Sequence, residues 1–200
     1  DLVSENKKIL PYFDIPVQHA DEEVLRAMRR SGSGEKYGEL FQKIREKNPD
    51  AVIRTTLMLG FPGEDRAAFE KLLEFVKNAE PDWMGSFTYS REEDTPAYSM
   101  RNQKDHDKAQ RVAKKWQKEL EAVQSPITEK HLERFVGKTY RALVEEKIEG
   151  EDLAIGRIYS QAPDVDGLTV IMGRDMKPGD TVMVGIRAVR GVDLEGVKID

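Results

Sequence analysis

The chain of 200 residues contains no cysteine. Without a thiol it forms no disulfide, offers no thiolate nucleophile, and supplies no cysteine ligand to zinc or to an iron–sulfur cluster. Its three histidines, His19, His106 and His131, include no pair at zinc-ligand spacing. We therefore predict no metal site within these residues.

Long apolar runs and an amino-terminal signal segment are also lacking. The longest apolar stretches are far too short to cross a bilayer, and the first three residues, Asp-Leu-Val, do not begin a signal peptide. The expected location is the cytoplasm, with no membrane partner.

Positive charge is not in excess, because 32 basic residues stand against 37 acidic ones and the net charge is −5. This balance argues against a dominant role for nucleic-acid phosphates, which bind clustered Lys and Arg. Hydrophobic residues make up 38% and charged residues 34% of the chain. The length allows one large domain or a medium domain with a small companion.

The first two thirds of the chain alternate between strand and helix patterns, which is typical of a parallel α/β sheet. We predict strands at 11–19, 51–59 and 83–90. A short helix capped by Asp21 and helices at 35–47, 64–79 and 104–124 lie between or after them, and Ser125-Pro126 is expected to restart the last helix.

The second strand has one apolar and one mixed face. Ile53, Leu57 and Leu59 suit the side that packs on helices, which leaves Arg54 and Thr56 on the opposite, inward side. A buried arginine is costly unless it meets an anion or a carboxylate. Arg54 is therefore expected to bind an anionic ligand group or, alternatively, to pair with the carboxylate of Asp14.

A Gly60-Phe61-Pro62-Gly63 turn closes this strand and leads into a helix. The two glycines permit backbone angles or close approaches that a Cβ forbids, and the proline fixes the path between them. Ligands of parallel α/β folds gather at the carboxyl ends of the strands. The turn is thus either a wall of a ligand site or an ordinary strand-to-helix connection.

From Gly137 onward the pattern changes to five short β segments with no helix between them. They cover 139–145, 153–160, 168–171, 181–189 and 192–199. A sheet of this kind should close on itself as a small antiparallel, OB-like barrel. We place the boundary near Phe135 or Val136, which gives domains at 1–136 and 137–200.

Three motifs follow the strands in order: Pro16-Val17-Gln18, then Leu59-Gly60-Phe61-Pro62-Gly63-Glu64, then Phe87-Thr88-Tyr89-Ser90 with Thr95-Pro96-Ala97. With the terminal barrel added, the chain resembles the methylthiotransferases, which are radical S-adenosylmethionine enzymes that end in a TRAM domain. Three further segments are similar to the RimO-type branch of that family: 11–19, Gly156-Arg157, and Ala162 to Gly167. That branch modifies an aspartate of a small-subunit ribosomal protein, whereas the sister branch modifies an adenosine of tRNA.

The resemblance implies a fold and a reaction. The fold is the later half of a partial TIM-like radical SAM barrel, with three parallel strands and their helices, followed by a TRAM domain. The reaction is reductive cleavage of S-adenosylmethionine, abstraction of a substrate hydrogen, and addition of a methylthio group. The family uses two 4Fe–4S clusters, whose cysteine ligands this chain lacks. We therefore expect an amino-terminally truncated fragment that is inactive alone.

The resemblance also carries roles to particular positions. Gln18 matches a cofactor contact, Phe61 matches the residue whose backbone meets the adenine, and Arg54 is the candidate for the cofactor carboxylate. The full predicted cofactor-binding set is Gln18, Arg54, Thr56, Gly60, Phe61, Tyr89 and Arg91; no catalytic residue is assigned. The alternatives are that Gln18 satisfies a neighbouring strand end, that Arg54 pairs with Asp14, and that Tyr89 belongs to the core.

The terminal barrel carries 4 Lys and 5 Arg against 12 Asp and Glu, a net charge of −3. TRAM domains resemble RNA binders, but an RNA-binding barrel is expected to show a basic face with exposed aromatics. An acidic module suits a basic ribosomal protein better. The alternatives are modification of tRNA by the sister branch, and a non-catalytic adaptor that binds RNA or ribosomal components.

Overall fold

The computed structural model describes residues 1–199. The chain divides into two compact units, which are described separately below. The first unit contains Asp1 and Phe13–Gln124, and the second contains Leu2–Tyr12 and the chain from Ser125 onward. The boundary proposed near Phe135 or Val136 stays a prediction.

The first unit is built on a three-stranded sheet in the order β1-β2-β3. Its strands are β1 (Tyr12–Asp14), β2 (Val52–Leu59) and β3 (Trp83–Thr88). β2 and β3 are parallel, with Thr56 opposite Gly85. The predicted α/β class and its three strands are confirmed.

The helices of the chain are α1 (Leu2–Glu5), α2 (Glu22–Ala27), α3 (Gly34–Lys47), α4 (Arg66–Ala79) and α5 (Gln103–Leu132), with a 3-10 turn at Pro96–Met100 before α5 and another at Glu133–Phe135 after it. α1 belongs to the second unit, α2, α3 and α4 connect the strands of the first unit, and α5 follows β3. Asp21, Ser33 and Asp65 cap α2, α3 and α4 through side-chain oxygens that accept backbone N–H groups. The capping residues therefore fix where each of these helices begins.

The predicted helix restart at Ser125-Pro126 is wrong. α5 runs without a break for 30 residues, and Pro126 lies inside it. α5 begins in the first unit and ends in the second. A proline in a helix removes one hydrogen bond, and a long helix with many other hydrogen bonds and a packed apolar stripe tolerates that loss.

The core of the first unit lies between the sheet and its helices. The burial of β2 alternates as predicted: Ile53, Leu57 and Leu59 are fully buried, whereas Arg54 and Thr56 on the other face are half-buried. Phe69 of α4 stacks on Trp116 of α5 with ring centroids 4.8 Å apart. The remaining fully buried apolar side chains include Leu25, Phe41, Val52, Leu72, Val76 and Leu120.

The second unit is dominated by a closed barrel with the strand order β4-β5-β6-β8-β7. The strands are β4 (Thr139–Lys147), β5 (Leu153–Arg157), β6 (Thr169–Met172), β7 (Thr181–Arg190) and β8 (Asp193–Ile199). The predicted five-stranded barrel is confirmed. Its core is formed by Ala142, Val144, Ala154, Ile171, Val184, Ile186 and Leu194.

One pairing in the barrel is parallel, since β6 and β8 run in the same direction, while the other four pairings are antiparallel. The reason is arithmetic. A closed ring with an odd number of strands cannot alternate direction all the way round. The barrel is therefore antiparallel, as predicted, except at the β6–β8 pair.

Candidate functional site

A cavity of about 280 Å³ opens at the carboxyl ends of the three strands of the first unit. The segment after β1 contributes Gln18, β2 and its turn contribute Met58 and Phe61, and the segment after β3 contributes Thr95 to Ala97 and Met100. The loop after α2 adds the remaining lining residues, Ala27, Met28, Arg29 and Arg30. The lining is mainly apolar, which is typical of small-molecule sites.

Gln18 holds its place in this cavity through its backbone. The first strand is shorter than predicted, because regular pairing ends at Asp14, but Gln18 makes a separate parallel bridge to Leu57. Its N–H donates to the Thr56 carbonyl at 2.9 Å, and its carbonyl accepts from the Met58 N–H at 2.8 Å. Its φ of 73° is in the left-handed region, which is uncommon for a residue with a side chain and concentrates at functional sites.

Phe61 lines the cavity and packs on Tyr89, which follows the third strand. Its ring meets Tyr89 edge to face with centroids 5.0 Å apart, and both side chains are buried. Val24 and Ala68 complete this buried cluster, and partly buried side chains pack against it: Ala27, Met28, Met58 and Ala97. Residues of α2 and α4 thus hold the Phe61 ring.

Side chains from different parts of the chain bind the backbone of the Gly60-Phe61 turn. The Arg101 guanidinium donates to the carbonyls of Gly60 at 2.8 Å and Phe61 at 3.1 Å. The Gly60 N–H donates to the Glu64 carboxylate, which also contacts His19. Burial lowers the pKa of Arg101, and the negative charge of Glu64 opposes that shift.

Arg54 lies on the inward face of β2, as predicted, with its side chain only 12% exposed. Its Nη1 is 3.2 Å from an Asp14 carboxylate oxygen and donates to the Thr56 hydroxyl at 3.0 Å. The guanidinium lies over Gly85, where a Cβ would be 3.1 Å from Nη2. The alternative in which Arg54 pairs with Asp14 is therefore the arrangement present in this structure.

The segment after β3 carries Tyr89 and Arg91, which occupy different surroundings. Among the described residues, the buried Tyr89 hydroxyl has no hydrogen-bond partner. Arg91 stacks on Tyr98, with its guanidinium 3.5 Å from the ring centroid, and its Nε donates to the carbonyls of Tyr98 and Arg101. Arg91 thus organises the loop before α5.

The structure therefore places the seven predicted site residues in three groups. Gln18 and Phe61 line the cavity, with Gly60 and Tyr89 in contact with Phe61 or adjacent to it. Arg54 and Thr56 bind each other on the sheet face, and neither they nor Arg91 line the cavity. Their assignment as cofactor ligands stays a prediction.

Sequence reasoning missed several residues. Arg101 has no local motif that would indicate its contact with a turn about 40 residues earlier. His106, on a charged stretch of the chain, is buried and packs edge to face on Tyr89, with ring centroids 5.8 Å apart. The start of α5 covers the strand end, and a charged helix sequence does not reveal that tertiary contact.

No group of His, Asp and Glu side chains that could hold a metal ion occurs among residues 1–199. Nor does any helix in that range have the length and apolar character needed to cross a membrane.

Comparison with known proteins identifies relatives of both parts of the chain. A radical SAM superfamily model matches residues 1–76, and a TRAM domain model matches residues 136–199. The protein named ribosomal protein uS12 methylthiotransferase RimO from Treponema denticola is 41% identical, over 99% of this chain and 46% of that protein. Its namesakes from Alkaliphilus oremlandii and Thermotoga maritima are 38% and 41% identical, over 97% and 96% of this chain and 43% of each of those proteins.

The chain thus spans less than half the length of these relatives. Among solved structures, the radical SAM enzyme coproporphyrinogen III oxidase of Escherichia coli is similar with a TM-score of 0.42 and 19% identity, over 64% of this chain and 28% of that one.

Proposed function

We propose a function on the premise that this chain belongs to the RimO-type methylthiotransferases, to which it is about 40% identical over nearly its whole length. In this proposal the chain is the later part of a radical S-adenosylmethionine enzyme. The enzyme adds a methylthio group to the β-carbon of an aspartate in ribosomal protein uS12. The observation that carries the proposal is the convergence of the three strand ends on one apolar cavity.

The cavity suits the adenosyl part of S-adenosylmethionine. A volume of about 280 Å³ holds a flat ring system, and the Phe61 side chain provides an apolar wall for it. Among the described hydrogen bonds, the carbonyl of Phe61 accepts from Glu64 N–H and from Arg101, whereas its N–H has no partner. A free N–H beside an aromatic wall can donate to a ring nitrogen of adenine.

The iron–sulfur clusters of the family do not fit these residues. Cysteine is absent from the sequence, and the described part of the chain has no cluster of other metal-binding side chains. We therefore assign the cluster chemistry to cysteines outside these 200 residues. The part played by this chain is to bind and orient the adenosyl group.

Arg54 is proposed to hold the carboxylate of the cofactor by exchanging it for Asp14. The Asp14 side chain is 52% exposed, so a ligand carboxylate can reach the guanidinium from the same side. In the full-length enzyme, Arg54→Ala should weaken S-adenosylmethionine binding measured by calorimetry. Asp14→Asn is the matched control, and it should bind the cofactor at least as tightly as the wild type.

Unchanged affinity of the Arg54→Ala protein would return Arg54 to a structural role. Equal weakening by both variants would show that the ion pair supports the sheet and does not exchange with a ligand.

The acidic barrel is proposed to steer a basic ribosomal protein to the enzyme. In the described part of the barrel, residues 137–199, several arginines form ion pairs with carboxylates: Arg157 with Glu145, Arg174 with Asp152 and Arg190 with Glu195. Paired arginines offer less attraction to phosphates, so the excess of Asp and Glu dominates the field felt by an approaching partner.

The substrate is tested with the full-length protein after reconstitution of its clusters. Ribosomal protein uS12 and tRNA are offered in parallel, and methylthiolation is detected by mass spectrometry. Modification of uS12 is the expected result, whereas modification of tRNA alone would refute the assignment to the RimO branch. The adaptor alternative is tested by the upstream coding sequence, which on our proposal encodes a cysteine triad next to an apolar strand.

A further inference from the structure

Buried groups in the first unit form a continuous path of hydrogen bonds to the Gly60-Phe61 turn. The Asp21 N–H donates to His19 Nδ1 at 3.0 Å. His19 Nε2 is 3.2 Å from Glu64 Oε1, and the Gly60 N–H donates to the other carboxylate oxygen of Glu64. The side chains of His19 and Glu64 have no exposed surface.

This geometry fixes the tautomer of His19. A backbone N–H is always a donor, so Nδ1 must present its lone pair to Asp21 and carries no proton. In a neutral imidazole the proton is then on Nε2, which donates to Glu64. Protonation of Nδ1 would place two donors against each other, so the observed contacts require the neutral ring.

Glu64 lies between the histidine and the turn, with one carboxylate oxygen for each. A carboxylate rotates about its last bonds unless both oxygens are bound. His19 binds the carboxylate oxygen that Gly60 does not, and so prevents the carboxylate from rotating. Arg101 binds the two carbonyls of the same turn. The direction of the Phe61 N–H and the position of its ring depend on this turn.

We propose that His19 is a positioning residue for the adenosyl site: as the neutral Nε2–H tautomer it orients Glu64, and Glu64 holds the Gly60-Phe61 turn in the geometry that receives the adenosyl group. The proposal rests on the proposed function. A buried polar pair such as His19 and Glu64 is costly compared with apolar side chains of the same size. Its presence therefore favours a role in orienting the turn over a role in stabilising the fold.

Two substitutions separate the contacts of the ring. In His19→Gln the longer carboxamide places an N–H donor near the position of Nε2 and keeps the contact with Glu64. In His19→Asn the shorter carboxamide keeps an acceptor near the position of Nδ1 for Asp21 but does not reach Glu64. His131→Gln, in the second unit, is the matched control for loss of a histidine.

The experiment measures S-adenosylmethionine affinity by calorimetry in the full-length, cluster-reconstituted protein, together with the Tm of each variant. His19→Asn should weaken binding by about tenfold, the loss expected for one buried charge-assisted hydrogen bond. His19→Gln should retain most of the wild-type affinity, and His131→Gln all of it. Amide hydrogen exchange at Gly60 should become faster in His19→Asn than in His19→Gln.

Nitrogen NMR of His19 gives a readout independent of binding, and an unprotonated Nδ1 is expected. Three results would overturn the proposal: wild-type affinity in His19→Asn, equal losses in His19→Gln and His19→Asn, or a protonated Nδ1. If the wild type itself does not bind S-adenosylmethionine, the proposed function fails. This outcome differs from failure of the His19 proposal, because it is seen in the wild type alone, before any variant is compared.

Discussion

Replacement of Gly60 by alanine should destabilise the first unit through two separate effects. Gly60 has a φ of 80°, and a non-glycine residue in this left-handed region costs roughly 1–2 kcal/mol. A Cβ at this position would also lie 2.8 Å from the Ala113 Cβ of α5, well inside van der Waals contact. Overpacking of this kind costs roughly another 1–3 kcal/mol. The expected loss is therefore about 2–5 kcal/mol.

Urea unfolding followed by tryptophan fluorescence measures this loss in the relevant unit. Both tryptophans, Trp83 and Trp116, belong to the first unit, so their emission reports its unfolding. A lower midpoint at an unchanged slope is the expected signature of lost stability.

Gly63→Ala is the matched control, because Gly63 has a φ of 96° but no atom lies within 4 Å of the position that a Cβ would take there. It should show the backbone cost alone. Adding Ala113→Gly to Gly60→Ala removes the overlap, so a double-mutant cycle should give a favourable coupling of about 1–3 kcal/mol. Equal losses for the two glycine variants together with zero coupling would refute the argument that α5 packs against the turn.

Substitutions at two further positions, Asp21 and Gly156, test the cap of α2 and the packing of the barrel. Burial raises the pKa of Asp21, but hydrogen bonds from Lys71 and from two backbone N–H groups outweigh it and leave the pKa lowered. Asp21→Ala should therefore lower the free energy of unfolding by about 1–2 kcal/mol, and Asp21→Asn by less, since asparagine keeps the cap. A lowered pKa stabilises the fold at pH values above the ordinary pKa of about 3.9, so the difference in stability between the wild type and Asp21→Asn should shrink as the pH falls below that value. A difference that grows there would contradict the ion pair with Lys71. Gly156→Ala would place a Cβ against the carbonyl oxygen of Leu143 and should destabilise the barrel by about 1–3 kcal/mol. The loss should appear as faster amide hydrogen exchange in β4 and β5. Unchanged exchange would count against this contact.

The parts of the fold that follow from local pattern were predictable. The alternation of Ile53, Leu57 and Leu59 with Arg54 and Thr56 correctly predicts the two faces of β2, because side chains of a strand alternate by geometry. The five β segments predict a barrel because no helix lies between them and a sheet that closes on itself has no exposed edge strand. Pro126 shows the limit, since a local rule for helix ends cannot weigh the packing that carries α5 through the proline.

The site was less predictable because its contacts join distant parts of the chain. Arg101 and His106 bind or cover strand ends that lie far before them in the sequence, and nothing next to them indicates those partners. Glu64 lies within a predicted helix, at 64–79, but its buried carboxylate binds His19 and Gly60. Only the completed fold brings these three groups together.

The two glycines of the turn, which the sequence treats alike, have different surroundings. The space that a Cβ would fill at Gly60 is taken by Ala113, so this glycine allows α5 to approach the turn. A ligand could contact Gly60 only through its backbone. That backbone is already bound, its N–H by Glu64 and its carbonyl by Arg101. At Gly63 the corresponding space is open. Gly60 is therefore required both for its backbone angle and for the close approach of α5, whereas Gly63 is required for its backbone angle alone.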